Sequence, residues 1–268
     1  MLPIIFGLIG GLFAALAMVE LEQTARGMAA FAHEDSWAAV WAFLFGFVAI
    51  GLPVLTIQKA VLRVMRYVRA VGNVLPYTGD QLLGTDGWAM DGVFGENLLQ
   101  LIDELPEHVV EVGSGHSSVL MASRLAGHGQ GHLWAIDHLE RFADRTRGWI
   151  RERGAGDFAT VVHAPLADHE IDGETWPWYD MEVLADALPD RIDLLVVDGP
   201  PGKLGKDSRW PAVPLLKERL AGDVAIILDD GDRSDETRIA HAWRDLLGAR
   251  MLRYLPGGKG AWIVRGRS

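Results

Sequence analysis

The sequence predicts an α/β protein, a mostly parallel sheet with helices on both faces, preceded by a helical hairpin suited to a membrane. Three observations carry this. From residue 108 onward, short apolar runs alternate with helical stretches. Five of those runs end in glycine, acidic residues or histidine. Near the N-terminus, residues 2–19 and 37–57 hold 18 and 21 positions without a charge.

The N-terminal runs come first in the chain. About 20 apolar residues in a helix span the hydrocarbon core of a bilayer, so 1–57 is expected to be a transmembrane helical hairpin. The connection between the runs carries Glu20, Glu22, Glu34 and Asp35 against Arg26. After the second run come Lys59, Arg63, Arg66 and Arg69, with no acid until Asp80. Positive charge stays on the cytoplasmic side, so both termini and the rest of the chain are expected at the cytoplasmic face of the inner membrane. Gly7 with Gly11, and Gly46 with Gly51, would let two helices approach closely. Residues 58–71 read as an amphipathic helix with those four cations on one arc and Val61, Val64, Met65, Val68 and Val71 opposite. That is the pattern of a helix lying on anionic headgroups, or of one whose apolar face packs on the following domain, and 58–75 is assigned as interfacial helix and linker.

The third segment, 76–268, begins with Pro76 and glycines at 79, 84, 87, 92 and 95, read as a loop-rich start. Strands are expected at 108–112, 132–136, 158–163, 192–197 and 224–228, with helices at 117–125, 139–153, 181–188, 208–220 and 235–247. The run 192–197 (IDLLVV) is apolar throughout, as a strand buried on both faces should be. Residues 251–255, the Gly257-Gly258 turn and 261–264 read as a closing hairpin. Alternation of this kind implies parallel strands and right-handed crossovers.

Composition narrows the function. A net charge of −11 argues against a nucleic-acid coat. The chain contains no cysteine, which excludes disulfides, a thiol nucleophile and cysteine-ligated zinc. The strand ends then carry the chemistry, because ligands of such sheets bind beyond the carboxyl ends of the strands. The first ends Glu111-Val-Gly113-Ser114-Gly115, the second Asp137-His138, the third His163-Ala164-Pro165, the fourth Asp198-Gly-Pro-Pro-Gly, the fifth Asp229-Asp230-Gly231. Gly113 and Gly115 allow a tight turn and close backbone approach to a ligand before a helix N-terminus. Asp137, 22 residues past Gly115, stands where a carboxylate accepts hydrogen bonds from ribose hydroxyls. A ribose-bearing ligand is expected. Ser118 takes the place of the third glycine of a dinucleotide fingerprint, which counts against a nicotinamide cofactor. Asp198, Asp229 and Asp230 are three oxygen donors at neighbouring strand ends, a set that suits Mg²⁺. Candidate bases are Asp198, Lys203, His163 and His138. Trp176, Trp178 and Tyr179, with Trp88 and Trp210, are candidates to line an acceptor pocket.

The run VVEVGSGHSS, followed by AIDH, VVHAPL, LLVVDGPPG and AIILDDGDR, resembles the class I S-adenosylmethionine-dependent methyltransferases, closest to their small-molecule and sugar O-methyltransferase branch. The upstream GWAMD and the closing hairpin fit as well, so the resemblance covers roughly 77–265. It implies a Rossmann-like seven-stranded sheet with the last strand antiparallel. It implies that Glu111, Gly113 and Gly115, with Ser114, surround the methionine portion of the cofactor. Ser117 and Ser118 would open the following helix, Asp137 would hold the ribose, and His138, Ala164 and Pro165 would flank the adenine. Asp198 would face the methyl group. Ser117 departs from the family, where a third glycine is common. Metal-dependent members hold Mg²⁺ with an acid after the fourth strand and an acidic or amide pair after the fifth, which implies Asp198, Asp229 and Asp230. Their base often lies three residues after the acid, and here that position is Pro201.

The expected activity is O-methylation of a small-molecule, glycan or lipid-linked hydroxylated acceptor near the membrane, metal-assisted, with membrane lipids as partners and room for a membrane complex or homo-oligomer. The alternatives are an NAD-dependent reductase or epimerase, and a catalytically silent subunit of a membrane assembly.

Overall fold

The computed structural model describes residues 22, 52–78 and 90–267. The chain divides into two compact units, Met1–Val64 and Met65–Ser268. Among the described residues no helix is long and apolar enough to cross a membrane. The two uncharged runs read as spans lie outside the described residues, except for 52–57, which begin helix α1 (Leu52–Thr78). This helix is longer than the amphipathic stretch expected at 58–71, and it carries Pro76 in its last turn. Val61, Val64, Met65 and Val68 are exposed on it, as are Lys59, Arg66 and Arg69.

The second unit buries Ala70 and Val74 of α1. The segment read as loop-rich contains helix α2 (Gly92–Ile102), capped by Asp91, whose carboxylate accepts the N–H groups of Val93 at 2.8 Å and Phe94 at 3.3 Å. Two glycines misled the reading here. A Cβ on Gly92 would lie 2.8 Å from Val71, and one on Gly95 2.9 Å from Val74. They are packing glycines that let α2 approach α1, and they do not open a loop.

The sheet then follows in order. Strand β1 (His108–Val112) leads to α3 (His116–His128), β2 (His132–Asp137) to α4 (Glu140–Glu152), and β3 (Ala159–His163) to a hairpin of β4 (Leu166–Ile171) and β5 (Glu174–Tyr179). Helix α5 (Met181–Ala187), β6 (Ile192–Val197), the short α6 (Ala212–Leu216), β7 (Leu220–Asp229), α7 (Ser234–Leu247), β8 (Met251–Leu255) and β9 (Ala261–Arg265) complete the chain. The seven strands of the main sheet run β3-β2-β1-β6-β7-β9-β8. β9 alone opposes its neighbours, as the family resemblance implied. Only five residues of the stretch expected to be helical at 208–220 form α6. Pro211 and Pro214 each lack the N–H a helix interior needs.

Side chains alternate along the strands into two apolar layers. Val109, Leu194, Val196 and Ile227 pack with α2, α3 and α4 on one face. Val110, Val112, Leu195, Val197 and Leu228 pack with α5, α6 and α7 on the other. Each fully buried Val, Leu or Ile contributes about 1.5–3 kcal/mol, so register is tightly specified.

Candidate active site

Register places the functional strand ends at one level. Val112 pairs with Ile136 and Val197, Ile136 with Val162, and Val197 with Leu228. One residue further along, Gly113, Asp137, His163, Asp198 and Asp229 therefore form a single row across the carboxyl edge. The sequence places them at five separate positions; the parallel pairing brings them to one rim.

On the β1 side, Gly113 has φ +100°, and a Cβ there would meet the backbone nitrogen of Gly199 at 2.9 Å. Both facts require glycine. Below it Glu111 is fully buried. Ser118 donates its hydroxyl to Glu111 Oε2 and accepts the Gly115 N–H at 2.9 Å. Glu111 Oε1 has no hydrogen-bond partner among the described residues. Burial pushes the Glu111 carboxyl up to about 8. Asp137 is buried, with Oδ2 accepting from the Ser114 hydroxyl and Oδ1 from the Leu139 N–H, each at 2.9 Å. His138 stands beside it, Nδ1 3.7 Å from Asp137 Oδ1. Burial lowers its pKa, which Asp137 opposes and Lys203 and His163 reinforce. His163 is half-buried, and Lys203 is exposed on the turn Gly202–Leu204. Ala164 is buried in an apolar layer, and Pro165 is exposed.

On the β6 and β7 side, Asp198, Asp229 and Asp230 bring carboxylate oxygens within 4.8 Å of one another. Sequence reasoning missed the cation among them. Arg209 is 3% exposed. Its Nη2 lies 3.2 Å from Asp198 Oδ1 and 2.8 Å from Asp230 Oδ2. Its Nη1 donates to the Asp229 carbonyl at 3.0 Å and lies 3.5 Å from Glu236. Arg233 adds a contact of 2.9 Å to Asp230 Oδ2. Asp230 Oδ1 remains without a hydrogen-bond partner among the described residues. Burial raises the Asp229 carboxyl well above its ordinary value, helped by Asp198 and Asp230 and opposed by Arg209. Burial likewise raises Asp198, which Arg209 opposes. Oxygens around Mg²⁺ stand about 3–4 Å apart when each bond is about 2.0–2.1 Å. Three converging carboxylates and an orphaned Oδ1 are donors of the kind a divalent cation takes, but Arg209 and Arg233 already hold Asp198 Oδ1 and Asp230 Oδ2, so the cation would have to use the remaining oxygens.

The aromatic group divides. Trp178 and Tyr179 are fully buried, so they do not line an open pocket. Trp176 lines a cavity of about 190 Å³ with Glu174 and Thr175 of β5 and Leu204, Lys206 and Ser208 of the loop after Asp198. Trp210 accepts the Trp243 indole N–H at its carbonyl, 2.9 Å away, and Trp88 lies outside the described residues.

These pKa directions set a pH dependence. The raised Glu111 carboxyl keeps its proton in the folded chain while the unfolded chain has lost it, so stability falls as pH rises from about 4.5 through about 8. Burial raises Asp198, Asp229 and Glu236 in the same direction, with Arg209 opposing each. The ligand-free protein is expected to melt on the order of 5 °C higher at pH 5.5 than at pH 8.5. Scanning calorimetry across that range checks this, and Glu111→Gln is expected to flatten the profile.

Comparison with known proteins agrees with the geometry. Residues 110–231, from β1 to the turn after β7, match a family model described as a methyltransferase domain. No curated protein sequence matches the chain. Among solved structures, cofactor-bound Rv0187 from MTB superposes with a TM-score of 0.51 at 19% identity, over 75% of this chain and 90% of that one. The O-methyltransferase TomG from Streptomyces achromogenes, in complex with SAM, gives 0.50 at 15% identity, over 74% and 90%. The fold of these structures is shared. The matched segment bears the whole rim, so the candidate site lies within the part of the chain that is similar to a methyltransferase domain.

Proposed function

We propose that the chain methylates a hydroxyl group on a small-molecule, glycan or lipid-linked acceptor at a membrane surface. One observation carries the chemistry: a single row places the ribose-type carboxylate Asp137, the glycine turn at 113 and the acidic pair Asp198 and Asp229 side by side. Glu111, Gly113, Ser114, Gly115, Ser117 and Ser118 would hold the amino-acid half of S-adenosylmethionine. Asp137 would hold its ribose, with His138, Ala164 and Pro165 beside the adenine. Bound there, the cofactor supplies a methyl group on a sulfonium that leaves as a neutral thioether.

The protein then has two tasks, alignment and removal of one proton. Asp198 is the base in this reading. It is 39% exposed at the rim, and Arg209 fixes one of its oxygens. Positioned general bases contribute about 10²–10⁴-fold. Lys203, on the turn after Asp198, and His163, at the end of β3, would orient the acceptor. Asp198, Asp229 and Asp230 would hold Mg²⁺, which when bound lowers the pKa of a hydroxyl. The membrane context rests on the uncharged runs at 2–19 and 37–57 and on the basic, apolar-exposed surface of α1.

Release of S-adenosylhomocysteine with phenolic, glycan and amine acceptors tests the reading, with and without EDTA. Turnover of hydroxylated acceptors is expected, falling at least tenfold with EDTA and in Asp229→Asn. Turnover of amines alone would contradict O-methylation. Full turnover in EDTA would leave Arg209 as the working cation.

A further inference from the structure

Tyr179 closes β5, in a hairpin outside the main sheet, yet its side chain reaches the centre of the rim. The ring is fully buried, set edge-on to Trp178 at 5.2 Å and to His138 at 6.1 Å. Its hydroxyl lies 2.5 Å from where a Cβ on Gly199 would stand, and that same position is 3.1 Å from Gly113 Cα. The hydroxyl therefore sits at the junction of the turns that follow β1 and β6. It has no hydrogen-bond partner among the described residues. Packing alone would be served by phenylalanine. An unpaired buried hydroxyl is costly, and such groups are rare in folded proteins unless a ligand completes them. Gly199 carries no side chain at the one place where a methyl would strike this oxygen.

The surroundings define what the hydroxyl can do. Burial, and then Asp137, hold it well above the usual phenol value, with Arg209 opposing. It stays protonated at any working pH and is a neutral donor. A donor beside the glycine turn needs an acceptor, and the acceptor on that half of the cofactor is its carboxylate. Resting on the reading above, we propose that Tyr179 donates its hydroxyl hydrogen to the amino-acid carboxylate of the bound cofactor, making the β4–β5 hairpin part of the cofactor site.

The test titrates S-adenosylhomocysteine and 5′-methylthioadenosine, which lacks the amino-acid part, into the native chain and Tyr179→Phe. The variant keeps the ring, and its melting temperature is recorded alongside. A bond to a charged acceptor predicts about a tenfold to hundredfold loss of affinity for S-adenosylhomocysteine, with 5′-methylthioadenosine unchanged within about twofold. Equal losses for both ligands, or no loss, overturn the inference while the native chain still binds. A native chain that binds neither ligand removes the methyltransferase reading itself, and this inference with it.

Discussion

Arg209→Met is expected to destabilise the protein by about 3–5 kcal/mol, because it leaves buried carboxylates without their cation. Arg209 is the common partner of Asp198, which follows β6, Asp230, which follows β7, and Glu236 on α7. Asp230 and Glu236 are both almost fully buried. Removing the guanidinium does not return these groups to water, so each must take up a proton or draw water into the site. Methionine approximates the apolar stem, which keeps a cavity from dominating the result. The melting temperature of a domain this size should fall by roughly 10 °C. Combining Arg209→Met with Glu236→Gln should recover part of the loss, because one stranded charge is gone. A loss below about 1 kcal/mol, in the range of exposed ion pairs, would show that Arg233 and Lys259, whose Nζ lies 4.0 Å from Asp230 Oδ1, compensate the cluster alone.

Gly113→Ala is the second large effect. The φ of +100° disfavours any side chain, and the new methyl would press on backbone, 2.9 Å from Gly199 nitrogen and 3.1 Å from the Asp198 carbonyl carbon. Strain and overlap together cost about 2–4 kcal/mol. Relief comes only by parting the turns after β1 and β6, which displaces Asp198 and the Tyr179 hydroxyl. Affinity for S-adenosylhomocysteine is expected to fall by more than about a hundredfold, since two or three bonds of about 1.5 kcal/mol each are lost together. Gly115→Ala supplies the contrast. Its φ of 171° is extended backbone, and a Cβ meets nothing within 4 Å. Stability should change by under about 0.5 kcal/mol, so any loss of affinity there reports close ligand approach.

The central strands were legible because burial on both faces leaves uninterrupted apolar runs, as in Ile192–Val197. The rim was legible because strand ends that bind ligands break that pattern abruptly with glycine and acid. The β4–β5 hairpin was not legible. Its strands are half-exposed and carry Asp168, Glu170, Glu174 and Pro177, so neither a clean alternation nor an apolar run marks them. Helix α2 was hidden by Gly92 and Gly95, whose purpose is visible only beside Val71 and Val74. Arg209 looked like one surface charge in a polar stretch. Its partners are 11 to 27 residues away, by subtraction of their numbers, and only β7 and α7 packing brings them together. Tyr179 carried a weak signal, an aromatic cluster next to Asp180, but not its depth.

The central claim is that the row through Gly113, Asp137 and Asp198 forms one adenosyl-cofactor pocket. Calorimetric titration of S-adenosylhomocysteine and of NADH into the native chain and Asp137→Ala tests it most directly. The account predicts saturable binding of S-adenosylhomocysteine alone, weakened about tenfold to hundredfold in the variant. Binding of NADH instead, or S-adenosylhomocysteine affinity indifferent to Asp137, would contradict it.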